Sequence, residues 1–238
     1  MSLDSSRAML WKALALGPRW VLRGSSAQFV AQDASDLSAD AGPSELDWDA
    51  LKEQVARCTR CGLCHSRKQA VFGVGDRQAS WLIVGEAPGE REDALGEPFV
   101  GQAGKLLDNM LAAVGRSRGE IGRSGVYIAN VLKCRPPGNR NPLPEEVQAC
   151  SPYLMRQIAL LQPEVIVVMG RFAAQAILGS DASIASLRSR VHVTQVAGRS
   201  IPVVVTYHPA YLLRNLADKA KSWQDLQLAC RAAMHQSS

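Results

Sequence analysis

Four short apolar runs organise most of the chain: SWLIVG (80–85), GVYIANV (125–131), EVIVVMG (164–170) and PVVVTY (202–207). Each is rich in β-branched residues and apolar at consecutive positions, the pattern of strands covered on both faces, as in a parallel sheet. Stretches with a helical period lie between them, around 102–115, 144–161 and 171–178, and another closes the chain near 222–234. This alternation predicts an α/β protein, a three-layer α/β/α domain around a central four-stranded parallel sheet. In open sheets of this kind, ligands bind outside the carboxyl ends of the strands. That rule singles out Gly85, Glu86 and Ala87 after the first run, Asn130 at the end of the second, Gly170 and Arg171 after the third, and His208 after the fourth.

The pattern is different upstream. In RAMLWKALAL, Met9, Leu10, Ala13 and Leu14 approximate helical spacing with basic flanks, as a short docking or targeting helix does. The segment GSSAQFVAQDASDLSADAGPSEL that follows is small and polar, lacks Lys and Arg, and reads as a flexible tether. Residues 1–46 are therefore expected to form an extension and residues 47–238 the folded domain.

With 238 residues and 47% hydrophobic composition, the chain can bury one sizeable core. Lys and Arg number 27 against 22 Asp and Glu. The first 46 residues hold four basic and five acidic ones, so the surplus belongs to the folded body, as a polyanionic partner requires. No apolar run approaches the roughly 18 residues of a membrane span, and ALALG is too short for a secretory signal. An intracellular protein with no membrane partner is expected. Six cysteines then need an explanation other than disulfides, which reducing compartments disfavour.

Cys58 and Cys61 form a C-x2-C pair, and Cys134 and Cys150 bracket CRPPGNRNPLPEEVQAC. Such a set can supply four thiolates to zinc or to a [4Fe–4S] cluster, and spacing does not separate the two. Unrelated buried thiols are the plain alternative. Cys64 stands three residues beyond Cys61 and competes for the same role, whereas Cys230 falls on the last helical stretch as a core residue. The bracketed segment carries four prolines, which limit the entropy lost on meeting a ligand, and Arg135, Asn139 and Arg140 can donate to phosphates.

A second unusual stretch is GEAPGEREDALGEPFVGQAG (85–104), a glycine-rich turn bearing Glu86, Glu90, Glu92, Asp93 and Glu97. Its carboxylates make it unsuited to cradling phosphate. Glu90, Asp93 and Glu97 read as solvated.

CTRC, GEAPGEREDALGEPFVGQAGKLLD, VYIANVLKCRPPGNRNPLPEEVQAC and HPAYLLRN occur together in the order and approximate spacing of family 4 uracil-DNA glycosylases, which the chain closely resembles over about residues 47–234. The resemblance implies a monofunctional DNA-repair hydrolase that cleaves the N-glycosidic bond of uracil in single- and double-stranded DNA and leaves an abasic site. It also implies a [4Fe–4S] cluster on Cys58, Cys61, Cys134 and Cys150, with Cys64 outside the ligand pattern. Family 5 enzymes lack the Glu that stands here as Glu86. The uracil-crosslinking relatives carry Gln at Ala87 and a His-bearing insert in place of RPPGNRNP.

Within that resemblance the residues take roles. Gly85, Glu86 and Ala87 border the uracil pocket and Phe99 stacks on the base. Asn130 has the donor and acceptor needed to read O4 and N3–H. His208 is the donor toward uracil O2, and Glu86 and Glu92 are the acidic groups for a cationic sugar and its attacking water. Several related families place a water-activating Asp where this chain has Ala87, so the water is to be held by Glu92, a loop carbonyl or Asn139. Leu212 or Leu213 is expected to fill the space of the extruded base, with Arg214 on phosphate. A monomer in a bacterial cytoplasm, acting at the nucleoid, is expected, with a protein partner conceivable through the N-terminal helix. Two other classes are an inactive or altered-specificity damage-binding protein of the same fold and a zinc-stabilised enzyme acting on free nucleosides.

Overall fold

The computed structural model describes residues 42–234. The helix and most of the tether expected from the N-terminal sequence lie outside the described residues. Just before Asp47, Leu46 is buried and its carbonyl accepts a hydrogen bond from Arg156 Nε at 2.6 Å.

One mixed sheet of six strands forms the middle layer. In chain order the strands are β1 (Val74–Gly75), β2 (Trp81–Gly85), β3 (Val126–Asn130), β4 (Val165–Met169), β5 (Val191–Val196) and β6 (Arg199–Thr206), arranged β1-β3-β2-β4-β6-β5. The four apolar runs are the inner strands β3, β2, β4 and β6, all mutually parallel. Two antiparallel edges extend this core, β1 on β3 and β5 on β6. β5 returns to β6 through Ala197 and Gly198, both at positive φ (49° and 77°), the backbone that matches the twist of a tight hairpin.

Side chains alternate across the sheet into two cores. Leu82, Val84, Ala129, Ile166, Val168, Val203 and Val205 face one side, with Leu154 and Ile158 of α4 (Pro144–Leu161) and Ala173, Ala174 and Ile177 of α5 (Arg171–Leu178). Trp81, Ile83, Val126, Ile128, Val165 and Val167 face the other, with Leu107 and Leu111 of α3 (Gln102–Ala112) and Leu226 and Ala229 of α8 (Lys219–Met234). Being covered on both faces explains why these strands are apolar at every position. A third, smaller core joins Leu51 and Val55 of α1 (Trp48–Ala56) to Leu63, Leu132 and the cysteines. The remaining helices are short: α2 (Glu90–Leu95), α6 (Ile184–Leu187) and α7 (Pro209–Leu212). No helix among the described residues is long and apolar enough to cross a membrane.

Local signals set the helix ends. Asp47 caps α1 by accepting from the Ala50 N–H at 2.9 Å. Pro144 opens α4, where Glu146 reaches back to the Leu143 N–H at 2.9 Å. α8 is tied down by a buried ion pair: Asp225, with no exposed surface, accepts from Arg188 Nε at 3.1 Å and Nη2 at 3.0 Å.

Truncating Asp225 leaves an almost fully buried guanidinium without its counter-charge. Asp225→Ala is therefore expected to lower unfolding free energy by about 3 kcal/mol or more in chemical denaturation, and an unchanged midpoint would contradict the role assigned to this pair.

Candidate active site and cysteine hollow

The strand order places β2 at the point where the chain turns to β3 on one side and β4 on the other, and a cleft opens at the carboxyl ends there. It has a volume of about 500 Å³ and is bordered by Glu86, Ala87, Phe99, Asn130, His208 and Arg214 among others. The parallel register sets Gly85 beside Asn130. Past the strand ends the chains remain joined, Val131 N donating to Gly85 O and Leu132 N to Glu86 O, both at 3.0 Å. The loop that carries Glu86 and Ala87 is thereby fixed against the one that leads to Cys134.

The floor of the cleft is made by what Gly85 lacks. A Cβ there would overlap Asn130 Oδ1 and come within 2.6 Å of the Phe99 ring. Asn130 is buried, and its Oδ1 has no hydrogen-bond partner within the protein. Such an acceptor is costly unless a ligand satisfies it.

Phe99 holds a left-handed backbone conformation (φ 56°), unfavourable for an aromatic residue. Two neighbours maintain it. Glu92 Oε1 accepts from the backbone N–H groups of Val100 at 3.0 Å and Gly101 at 3.2 Å. Gly104 lets α3 press against the loop, because a Cβ there would overlap the Phe99 carbonyl. Glu92 thus spends one carboxylate oxygen on architecture.

His208 stacks on Phe99 with ring centroids 5.4 Å apart and planes 26° from parallel. It caps α7, its Nδ1 accepting from the Ala210 N–H at 3.1 Å. Burial pushes its pKa down to about 4, reinforced by Arg214 and opposed by Glu92. The ring is neutral at physiological pH, and with Nδ1 an acceptor, Nε2 carries the proton. Burial raises the carboxyl of Glu86, while Arg171 pulls it back.

The remaining site residues divide. Leu213 is exposed, as a residue entering DNA must be, whereas Leu212 has no exposed surface. The expectation that Leu212 acts at the DNA is corrected: one turn of α7 points it into the protein. Arg140 borders the cleft, but Glu146 holds its guanidinium through two hydrogen bonds of 2.9 and 2.5 Å, so its charge is already paired. Arg135 Nε donates to Asn139 Oδ1 at 2.7 Å. Asp93 is buried, not solvated, because both its oxygens accept from the Lys68 N–H, at 2.9 and 3.1 Å. Tyr211, not singled out from the sequence, also borders the cleft; it stacks on Tyr207 at 4.9 Å and donates to Asp218 at 2.7 Å.

Behind this site, Cys58, Cys61, Cys64, Cys134 and Cys150 border one small apolar hollow with Arg67, Lys133 and Tyr153. All six cysteines are free thiols. No group of His, Cys, Asp or Glu among the described residues is arranged to hold a metal ion. Three receive hydrogen bonds: Cys134 from Arg67 Nη1 at 3.0 Å, Cys150 from Lys133 N at 3.3 Å and Cys58 from Arg60 N at 3.5 Å. Burial raises the thiols of Cys61 and Cys134 and pushes Cys150 up to about 12. The donor set fits a group that takes thiolates, which must displace those protons to bind. Cys230 is half-buried on α8, packed against the core with α3.

Residues 72–227 match the family model described as the uracil DNA glycosylase superfamily. The type-4 uracil-DNA glycosylase of Archaeoglobus fulgidus is 45% identical over 169 residues, covering 69% of this chain and 82% of that protein. The type-4 enzyme of Thermotoga maritima is 41% identical over 179 residues, 73% of this chain and 86% of its own length. A type-5 uracil-DNA glycosylase from Thermus thermophilus is more distant, 33% identical over 151 residues, 58% of this chain and 68% of that one. The fold, the cleft at the strand ends and these similarities agree: the chain belongs to the uracil DNA glycosylase superfamily, in its type-4 branch.

Proposed function

We propose that this chain is a monofunctional DNA-repair glycosylase that hydrolyses the N-glycosidic bond of uracil in single- and double-stranded DNA, leaving an abasic site. The observation that carries the reading is the buried, unpaired Oδ1 of Asn130 in a cleft bordered by Phe99 and a neutral His208. Uracil N3–H is a donor for that oxygen, and the amide NH2 of Asn130 is a donor for uracil O4. Cytosine offers the opposite pattern at both positions. A base stacked in a duplex cannot reach a buried asparagine, so the nucleotide is extruded first, at a cost of a few kcal/mol.

Breaking the bond moves an electron pair onto the base and leaves positive charge on the sugar. The Nε2–H of His208 donates to the developing negative charge on O2, and a neutral imidazole does so without giving up its proton. Water adds its oxygen to the sugar carbon and loses a proton. Glu86 is the carboxylate placed for the cationic sugar and for that proton, while Glu92 positions Phe99 through Val100 and Gly101. Ala87 contributes space and no base.

Just after α7, Leu213 is exposed and Arg214 borders the cleft; Leu213 is assigned the space of the extruded base and Arg214 a phosphate, with Arg135 and Asn139 on the opposite loop. Cys58, Cys61, Cys134 and Cys150 are assigned to a [4Fe–4S] cluster, a reading supported by the shared hollow and its N–H donors to sulfur. These four residues, from the loop after α1, the turn after β3 and the first half of α4, would hold the group and be tied together by it. The catalytic body is assigned to residues 47–238, with residues 1–46 as an extension.

Two outcomes test the chemistry. Oligonucleotides carrying uracil, cytosine or thymine should show alkali-labile cleavage with uracil alone. His208→Ala should slow single-turnover excision by about 10²–10³-fold. Because burial depresses the His208 pKa to about 4, the group stays neutral as pH rises, and its contribution should be flat from roughly pH 6 to 8. A rate step near the ordinary histidine pKa, abolished in the variant, would contradict the neutral donor.

Leu213→Ala should reduce excision from duplexes more than from single strands, since only duplexes need the vacated space filled. Leu212→Ala should instead cost about 2–5 kcal/mol of stability. Equal loss on both substrates with Leu213→Ala would remove it as the wedge.

A further inference from the structure

Lys133 is 1% exposed, between the cysteine hollow and the cleft. Its Nζ donates to Asn130 O at 2.9 Å and to Gln157 Oε1 at 2.6 Å, both neutral acceptors. Gln157 is held in turn, its Nε2 donating to Phe72 O at 3.0 Å. No ion pair to a carboxylate compensates Lys133 among the described residues. A buried ammonium is costly without a counter-charge. The groups beside it able to become anions are the cysteines of the hollow that it borders, one of which, Cys150, accepts from the N–H of the same residue at 3.3 Å. Arg67 makes the matching contact on Cys134 at 3.0 Å.

We infer that Lys133 is a positioning residue that couples the thiolate-bound centre to base recognition: its charge offsets the thiolates while its Nζ fixes the backbone carbonyl of the asparagine that reads uracil. This rests on the cluster reading above. A tetrathiolate [4Fe–4S] centre with its core at 2+ carries a net charge of −2, which Lys133 and Arg67 together offset. The span from Asn130 to Cys134 is one short turn, and Lys133 is the side chain in it that touches the strand end and borders the hollow. Loading the centre holds the ammonium in place, and the ammonium holds Asn130.

Two variants separate the electrostatic and positional effects. Lys133→Met removes the charge and the bond to Asn130 in similar volume. Gln157→Glu places a carboxylate on the ammonium, offsetting its charge toward the sulfurs but leaving its bond to Asn130. On anaerobically purified protein, iron content and the cluster's reduction potential are measured. Affinity is measured for an oligonucleotide bearing 2′-fluoro-2′-deoxyuridine, whose fluorine disfavours the cationic sugar and slows cleavage.

Both variants should move the potential to more negative values, because a positive charge near the cluster favours its reduced state. Lys133→Met should also weaken binding of the fluorinated oligonucleotide by about tenfold, whereas Gln157→Glu should change it much less. If Lys133→Met fails to hold iron, the potential and affinity of Gln157→Glu decide the matter. A brown wild-type protein whose loaded variants keep its potential and affinity would overturn the assignment of Lys133 and leave the cluster reading standing. A wild-type protein without iron would overturn the cluster reading itself.

Discussion

A hydrogen-bond acceptor with nothing to accept from is the constraint around which this molecule is arranged. Asn130 Oδ1 is buried and without a protein partner at the end of a parallel strand, beside a glycine whose missing side chain makes room for that amide oxygen and for the Phe99 ring. The residues around that atom are each held by contacts of their own. Phe99 is held in a strained backbone by the Glu92 carboxylate and by the close approach of α3 at Gly104. His208 is neutral and stacked on Phe99, its Nδ1 already engaged by its own helix. A ligand that supplies a donor to the amide oxygen and an acceptor to the amide nitrogen satisfies the buried acceptor on binding.

The acidic turn at 85–104 then makes sense as chemistry and as carpentry. Glu86 borders the cleft, with Arg171 opposing the effect of burial on its carboxyl. Glu92 secures the aromatic, and Asp93 caps the Lys68 N–H away from the cleft. On the other side, the turn from Asn130 to Cys134 joins recognition to the cysteine hollow within four residues, and the segment between Cys134 and Cys150 is anchored at both ends. Arg140, paired with Glu146, braces that segment.

Much of the architecture was legible because the inner strands are buried on both faces, which forces consecutive apolar residues into SWLIVG, EVIVVMG and their partners. The edges were not. β5 exposes Val191 and Val193 and turns through Ala197–Gly198, which lacks the Asn-Gly signature of a tight hairpin, and β1 is two residues long. The strand-end rule together with the family motifs located Asn130, Phe99 and His208. What the sequence did not reveal depends on contacts between distant segments. Asp93 meets a backbone N–H 25 residues away, and Lys133 finds Gln157 at a separation of 24. Neighbouring leucines are distinguished only by which side of a single helical turn faces the core, so Leu212 and Leu213 looked equivalent.

The most direct test of the account is the base preference of Asn130→Asp. A carboxylate at this position can only accept, so it loses the donor to uracil O4 and gains a fit to the amino group of cytosine. The account predicts that uracil excision falls by about 10²-fold or more while cytosine excision becomes measurable. Uracil excision at the wild-type rate would show that the buried amide does not read the base.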